Sequence, residues 1–265
     1  MIGVFDSGVG GLTVLKEFFK KLPAYDYVYL GDNARSPYGN KTQTEIYHHT
    51  EQAVDFLFNV GCSLIVIACN TASAKALRKI QRNFLPKKFP GKKVLGVIIP
   101  TIEEISRKKY KTVGLIGTKS TVDSKKYSVE LQKVNKKIKL YQQACPLLVP
   151  IVETGRIKDK KTKQIIADYL KPLKNKKIEA LVLGCTHYSL LLDEIKDVAG
   201  KINIINPPAI VAEKLKDYLK RHKEIKVSKK KKRIFYTTGD PKKFKVLGER
   251  FLRRKINKIK KIKLQ

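Results

Sequence analysis

The chain has 265 residues with 42% hydrophobic side chains, enough for one large or two small domains and an ordinary packed core. That content excludes wholesale disorder, and no apolar run approaches the ~20 residues of a membrane span. The 57 Lys and Arg against 23 Asp and Glu give a net charge of +34, which on its own suggests a polyanion partner.

The chain starts directly in an apolar, strand-like segment, Ile2 to Phe5. No basic region precedes it, which argues against a secretory leader and for a cytoplasmic protein. Eight more strand candidates follow: Tyr27–Leu30, Leu64–Ala68, Val94–Val97, Val113–Ile116, Ile138–Tyr141, Leu181–Leu183, Ile202–Ile205 and Ile234–Tyr236. They are short, rich in Ile and Val, and bounded by Gly, Asp or Asn. Fully apolar runs such as Leu64-Ile65-Val66-Ile67 suit strands buried on both faces, as in parallel sheets.

Helices with readable ends lie between them. Thr42 and Glu45 form a capping-box pattern, and Ile46, Ala53, Val54, Leu57 and Phe58 follow at helical spacing. Gly61 stands where that helix should stop. Asn206 before Pro207 reads as a helix cap with Pro in the first turn. Strands alternating with helices predict an α/β fold with mostly parallel sheets.

The pattern is also duplicated. Gly3-Val4-Phe5-Asp6-Ser7-Gly8 is a strand, then small polar residues, then a helix; the plan returns 111 residues later from Gly114 through Thr121. Ile65 through Thr71 returns in style 116 residues later as Leu181 through His187. Two offsets this similar predict two related α/β halves whose strand ends face each other across a cleft.

Each half has one Cys at the end of an apolar strand, before hydroxyl or amide side chains and a helix: Cys69 and Cys185. Ligands bind at the carboxyl ends of parallel strands. A Cys at a helix N-terminus there should have its thiolate favoured, which would make it a workable base. Cys62 and Cys145 lack this setting and read as structural, and four Cys are too few for a disulfide scaffold. Cys69, Cys185 and His187 are conceivable zinc ligands, but there is no C-x-x-C pair and no second His nearby, so no metal is expected.

The Gly-rich segment Asp6 to Gly11 follows the first strand. Its spacing is a poor match to a dinucleotide fingerprint. Its backbone N–H groups could hold a small anion such as a carboxylate, or it could be only a tight turn. Asp6 could bind a substrate ammonium group or assist a base. Gly31 to Gly39 has strong turn chemistry and reads as a loop.

The charge is unevenly placed. Residues 1–70 carry 5 basic and 7 acidic groups, whereas residues 220–265 carry 20 and 3. A solvated, lysine-rich surface is the leading account and a phosphate-binding surface the alternative. Scarce Arg and absent Trp weaken any case for base readout or stacking. Nucleic acid is therefore a poor candidate partner.

Seven segments occur in the order found in one family: FDSGVGGLTVL (5–15), LGDNARSPYG (30–39), IACNTASA (67–74), IGTKSTV (116–122), ACPLLVPIVETG (144–155), LGCTHYSLL (183–191) and TTGDP (237–241). Together they resemble the glutamate racemases of the cofactor-independent aspartate/glutamate racemase family. The resemblance implies two pseudo-symmetric α/β domains with the active site in the cleft between them. It implies a discontinuous first domain, 1–93 plus 207–265, and a second domain, 94–206. Cys69 and Cys185 would be the two catalytic acid/bases, Cys69 toward D-glutamate and Cys185 toward L-glutamate. Asp6 and His187 would assist the thiols, and Glu153 falls on a further family acid. Substrate-binding positions would be Asp6, Ser7, Tyr38, Gly39, Asn70, Thr71, Thr186 and His187, with Thr118 and Thr121 as weaker candidates.

The implied reaction interconverts L- and D-glutamate for peptidoglycan, without pyridoxal phosphate or any other cofactor, in a cytoplasmic homodimer. The variable segment Ile205 to Pro208 puts nothing catalytic in doubt. Aspartate racemase is the nearest alternative, and His187 after Cys185-Thr186 favours glutamate. A basic nucleic-acid-binding module on this fold is a more distant one.

Overall fold

The computed structural model describes all residues, Met1 to Gln265. Ten strands form two sheets: β1 Ile2–Asp6, β2 Tyr27–Gly31, β3 Leu64–Ile67, β4 Lys93–Gly96, β5 Thr112–Gly117, β6 Lys139–Ala144, β7 Ala180–Gly184, β8 Asn203–Ile205, β9 Arg233–Thr237 and β10 Ile259–Lys261. One sheet has the order β10-β9-β2-β1-β3-β4 and the other β6-β5-β7-β8. Every pairing is parallel. β1, β2, β3 and β7 are buried along their whole length, which is why they read as continuous apolar runs.

The second sheet repeats the order of four strands at one end of the first: β6-β5-β7-β8 matches β2-β1-β3-β4. This shared order is the structural form of the duplication. The winding reverses between β1 and β3 in the first sheet and between β5 and β7 in the second. A crevice opens at the carboxyl ends of strands at such a switch point.

The nine expected strands all form, with ends shifted by up to three residues. Val97 falls outside β4, as the residue capping the helix Ile98–Arg107. β10 escaped the pattern because two of its three residues are exposed Lys. It is the terminal strand of its sheet, where Lys on the outer edge discourages further pairing.

The helix α1 (Leu12–Lys21) follows the Gly-rich turn and packs on the late helix Pro207–Arg221. The helix α2 (Gln43–Asn59) begins with both bonds of a capping box between Thr42 and Glu45. The chain leaves it through Gly61 at φ +93°, a conformation that favours glycine. Asn206 does precede the helix Pro207–Arg221, but its side chain makes no cap; its Oδ1 instead accepts from Ser189 Oγ at 2.8 Å.

Candidate active site

The first switch point brings together the ends of β1 and β3. Asp6 closes β1 and is fully buried. Its Oδ2 accepts the Gly8 N–H at 3.0 Å, and the Gly11 N–H also bonds its carboxylate. The turn's amides are thus taken up by the Asp6 carboxyl group rather than left for an outside carboxylate. Burial pushes the Asp6 pKa up, opposed by the His187 charge, the two amides and Thr186. Tyr29 pins the same turn by donating to Gly8 O at 2.8 Å.

Gly10 brings the two halves into close approach. A Cβ there would collide with Thr186 Oγ1 and lie 2.6 Å from His187 Nδ1. Only a residue without a side chain lets the turn approach the second half this closely. Thr186 crosses the same gap, donating to Asp6 Oδ1 at 3.4 Å.

Cys69 follows β3 and caps α3 (Asn70–Lys75). Its Sγ accepts the Ala72 N–H at 3.4 Å, and the thiol donates to Ser7 Oγ at 3.6 Å. The expected gain from the helix N-terminus is present but does not prevail. Burial, joined by the Asp6 charge, pushes the Cys69 thiol up to about 12, against the opposing pull of the Ala72 amide and Ser7. Asn70 Oδ1 accepts from Tyr127 OH at 2.7 Å.

The second switch point supplies the opposite set. Thr118 follows β5 and Cys185 follows β7. Thr71 Oγ1 lies 2.9 Å from Thr118 Oγ1 and 3.1 Å from Thr121 Oγ1, so three hydroxyls join the two halves. Cys185 Sγ lies 4.0 Å from His187 Nδ1, and His187 Nε2 lies 3.0 Å from Glu153 Oε1. Burial would lower the His187 pKa, but hydrogen bonds and charge from Cys185 and Glu153 raise it to about 10. The Glu153 carboxylate thus favours the protonated form of His187, whose other ring nitrogen faces the Cys185 sulfur.

One cavity has both thiols in its wall. The first half contributes Ser7, Tyr38, Gly39, Cys69, Asn70 and Thr71; the second contributes Thr118, Cys185, Thr186 and His187. Asp6, Glu153 and Thr121 do not line it. Asp6 lies beneath the Gly-rich turn, Glu153 backs His187, and Thr121 is buried behind Thr71. Cys62 and Cys145 are fully buried and also stand away from the cavity.

Three lining residues, Ser36, Pro37 and Val149, were not picked out from the sequence. Ser36 and Pro37 lie in the loop that also carries Tyr38 and Gly39. That loop is held by the buried Asp32, which accepts from Arg35 Nε at 2.8 Å, Tyr38 OH at 2.5 Å and Thr238 Oγ1 at 2.7 Å. The TTGDP segment thereby buttresses the loop. A larger hollow between the helices Ile98–Arg107 and Pro207–Arg221 contains no thiol or imidazole. No group of three His, Cys, Asp or Glu side chains could hold a metal ion.

Two opposed thiols at paired switch points are a constellation for moving a proton across a carbon atom. A family model described as Asp/Glu/Hydantoin racemase matches residues 2–215. The chain belongs to this family. Among racemases of the family, it is 44% identical over 220 residues to the glutamate racemase of Aquifex aeolicus, covering 83% of each chain. It is 36% identical over 260 residues to glutamate racemase 2 of Caldanaerobacter subterraneus, covering 97% of this chain and 95% of the relative. The solved glutamate racemase of Francisella tularensis, in complex with D-glutamate, superposes with a TM-score of 0.91 at 34% identity, covering 99% and 97% of the two chains. The aspartate racemase of Picrophilus torridus superposes with a TM-score of 0.54 at 20% identity, a likeness of fold alone.

Proposed function

We infer that the chain is a glutamate racemase that interconverts L- and D-glutamate by passing the α-proton between two cysteines without a cofactor. The observation that carries this reading is the pair of thiols, one from the end of each sheet, in the wall of a single cavity. In one direction a Cys69 thiolate takes the proton from Cα. The C–H electron pair moves toward the α-carboxylate, and the Cys185 thiol returns a proton to the opposite face. The reverse direction exchanges the two roles. The α-proton is far less acidic than a thiol, so the carbanion-like transition state needs preorganised donors. Asn70, Thr71 and Thr186 are suited to that task. Asp6 lies outside the cavity wall, which favours its assisting Cys69 over its pairing directly with the substrate ammonium group.

Glutamate is preferred over aspartate because His187 follows Cys185-Thr186 and because the relatives from Aquifex aeolicus and Caldanaerobacter subterraneus, 44% and 36% identical, are glutamate racemases. Supply of D-glutamate for peptidoglycan, a cytoplasmic setting and a homodimer belong to the same reading. No helix is long and apolar enough to cross a membrane. The division into 1–93 plus 207–265 and 94–206 belongs to that reading too, and is supported by β9 pairing with β2 and β10 with β9.

The test is α-proton exchange in D2O, followed by NMR, with L-glutamate, D-glutamate and both aspartates. Wild type should put deuterium at Cα of glutamate while optical activity is lost. Cys69→Ala and Cys185→Ala should each lower racemisation by at least about 10³-fold. Full activity in both variants would sink the two-thiol mechanism, and faster turnover of aspartate would reassign the substrate.

A further inference from the structure

Asn70 could face a substrate with either end of its amide. The oxygen would receive an ammonium group, and the nitrogen would donate to a carboxylate. A residue outside the cavity determines which end is presented. Tyr127 stands at the start of the helix Lys126–Val134 in the second half and is fully buried. Its phenol reaches across to the first half and donates to Asn70 Oδ1 at 2.7 Å. Burial, with the Cys185 charge, pushes the phenol well above its ordinary range, so it remains a neutral donor at any working pH. Asn70 Nδ2 has no partner in the chain, although Asn70 is 96% buried by virtue of its 4% exposure and lies in the cavity wall beside Cys69.

We propose that Tyr127 is a positioning residue that fixes the polarity of Asn70, so that the wall beside Cys69 presents an N–H donor to a substrate carboxylate. The contact spans the two halves, so it also ties the donor's orientation to their closed arrangement. Without the phenol the amide can turn over and offer its oxygen, which repels a carboxylate. This inference rests on the racemase reading, in which a carboxylate-bearing substrate occupies the cavity.

A double-mutant cycle tests it, with kcat/KM read from α-proton exchange by NMR, a measurement that tolerates slow variants. Tyr127→Phe in the wild-type background should lower kcat/KM about tenfold, as expected for one misdirected hydrogen bond. In an Asn70→Ala background the same change should cost less than about twofold, because its target is gone. Equal losses in both backgrounds would mean a general structural role and overturn the proposal, as would wild-type kinetics in Tyr127→Phe. Melting temperatures of the wild type and the three variants are compared alongside.

Asn70→Asp provides a second arm that leaves Tyr127 in place. It keeps an acceptor for the phenol but replaces the cavity-facing NH2 with an oxygen. It should bind glutamate more weakly than Asn70→Ala does; equal or tighter binding would show that the cavity wants an acceptor and overturn the assignment. If wild type exchanges no α-proton of glutamate, the racemase reading fails; if wild type exchanges it and the cycle is additive, only the role of Tyr127 fails.

Discussion

Gly10 shows how a single residue can serve the site through what it lacks. Its missing Cβ leaves room for Thr186 and His187 of the other half. Gly10→Ala should therefore lower kcat/KM by roughly 10²-fold, the cost of displacing groups in the cavity wall by an ångström. The melting temperature should fall much less; a variant that keeps its activity would show that the turn yields easily. His187 gives a pH prediction. Its folded pKa, about 10, lies above the ordinary 6.5. The stability it contributes is fully present below about pH 6.5 and is lost as pH rises through about 10. Glu153→Gln removes one of the groups that raise this pKa. Urea unfolding between pH 7 and 10 should then show a shallower loss of stability in the variant than in wild type. An unchanged slope would remove Glu153 from the linkage.

Elements were legible where local chemistry settles them. The capping box at Thr42 and Glu45 involves neighbours in sequence, and both of its bonds form. Thr42→Ala should destabilise the protein by about 1 kcal/mol, measured by urea unfolding, with little change in activity. A loss near zero would mean that packing alone holds the start of α2. Elements were less legible where a neighbour outcompetes the local signal. Asn206 stands at a helix start, yet Ser189 takes its side chain. Cys69 sits at a helix N-terminus, yet burial and the Asp6 charge raise its pKa rather than lowering it. β10 has no strand signal, because a terminal strand needs little apolar surface.

On the scale of the whole molecule, the late segment returns to the first sheet. β9 pairs with β2 in register from Tyr27↔Arg233 to Gly31↔Thr237, and β10 pairs with β9. The helix Pro207–Arg221 covers α1. A chain ending at Ile205 would expose the edge of β2 and the apolar face of α1. It should aggregate on size-exclusion chromatography; a monodisperse, folded product would show that residues 1–205 suffice. The net charge of +34 also takes on its meaning at this scale. No Lys or Arg lines the cavity that holds the thiols. Hydroxyls, an amide and the His187 ring line it, and the Lys and Arg surplus lies elsewhere.

The sequence by itself determined the alternation of strands and helices, the duplication, the two thiols and the segments around them. These are readable because each depends on residues adjacent in the chain: apolar runs, glycines, caps and a Cys at a strand end. The tertiary structure alone decided what Asp6, Gly10 and Tyr127 do. Asp6 fills the anion site of its own turn, Gly10 makes room for residues 176 and 177 positions away, and Tyr127 reaches Asn70 from 57 positions away. Such roles come from contacts between halves, and burial there sets hydrogen-bond direction and proton affinity by removing water. No local pattern records how much water a group will lose.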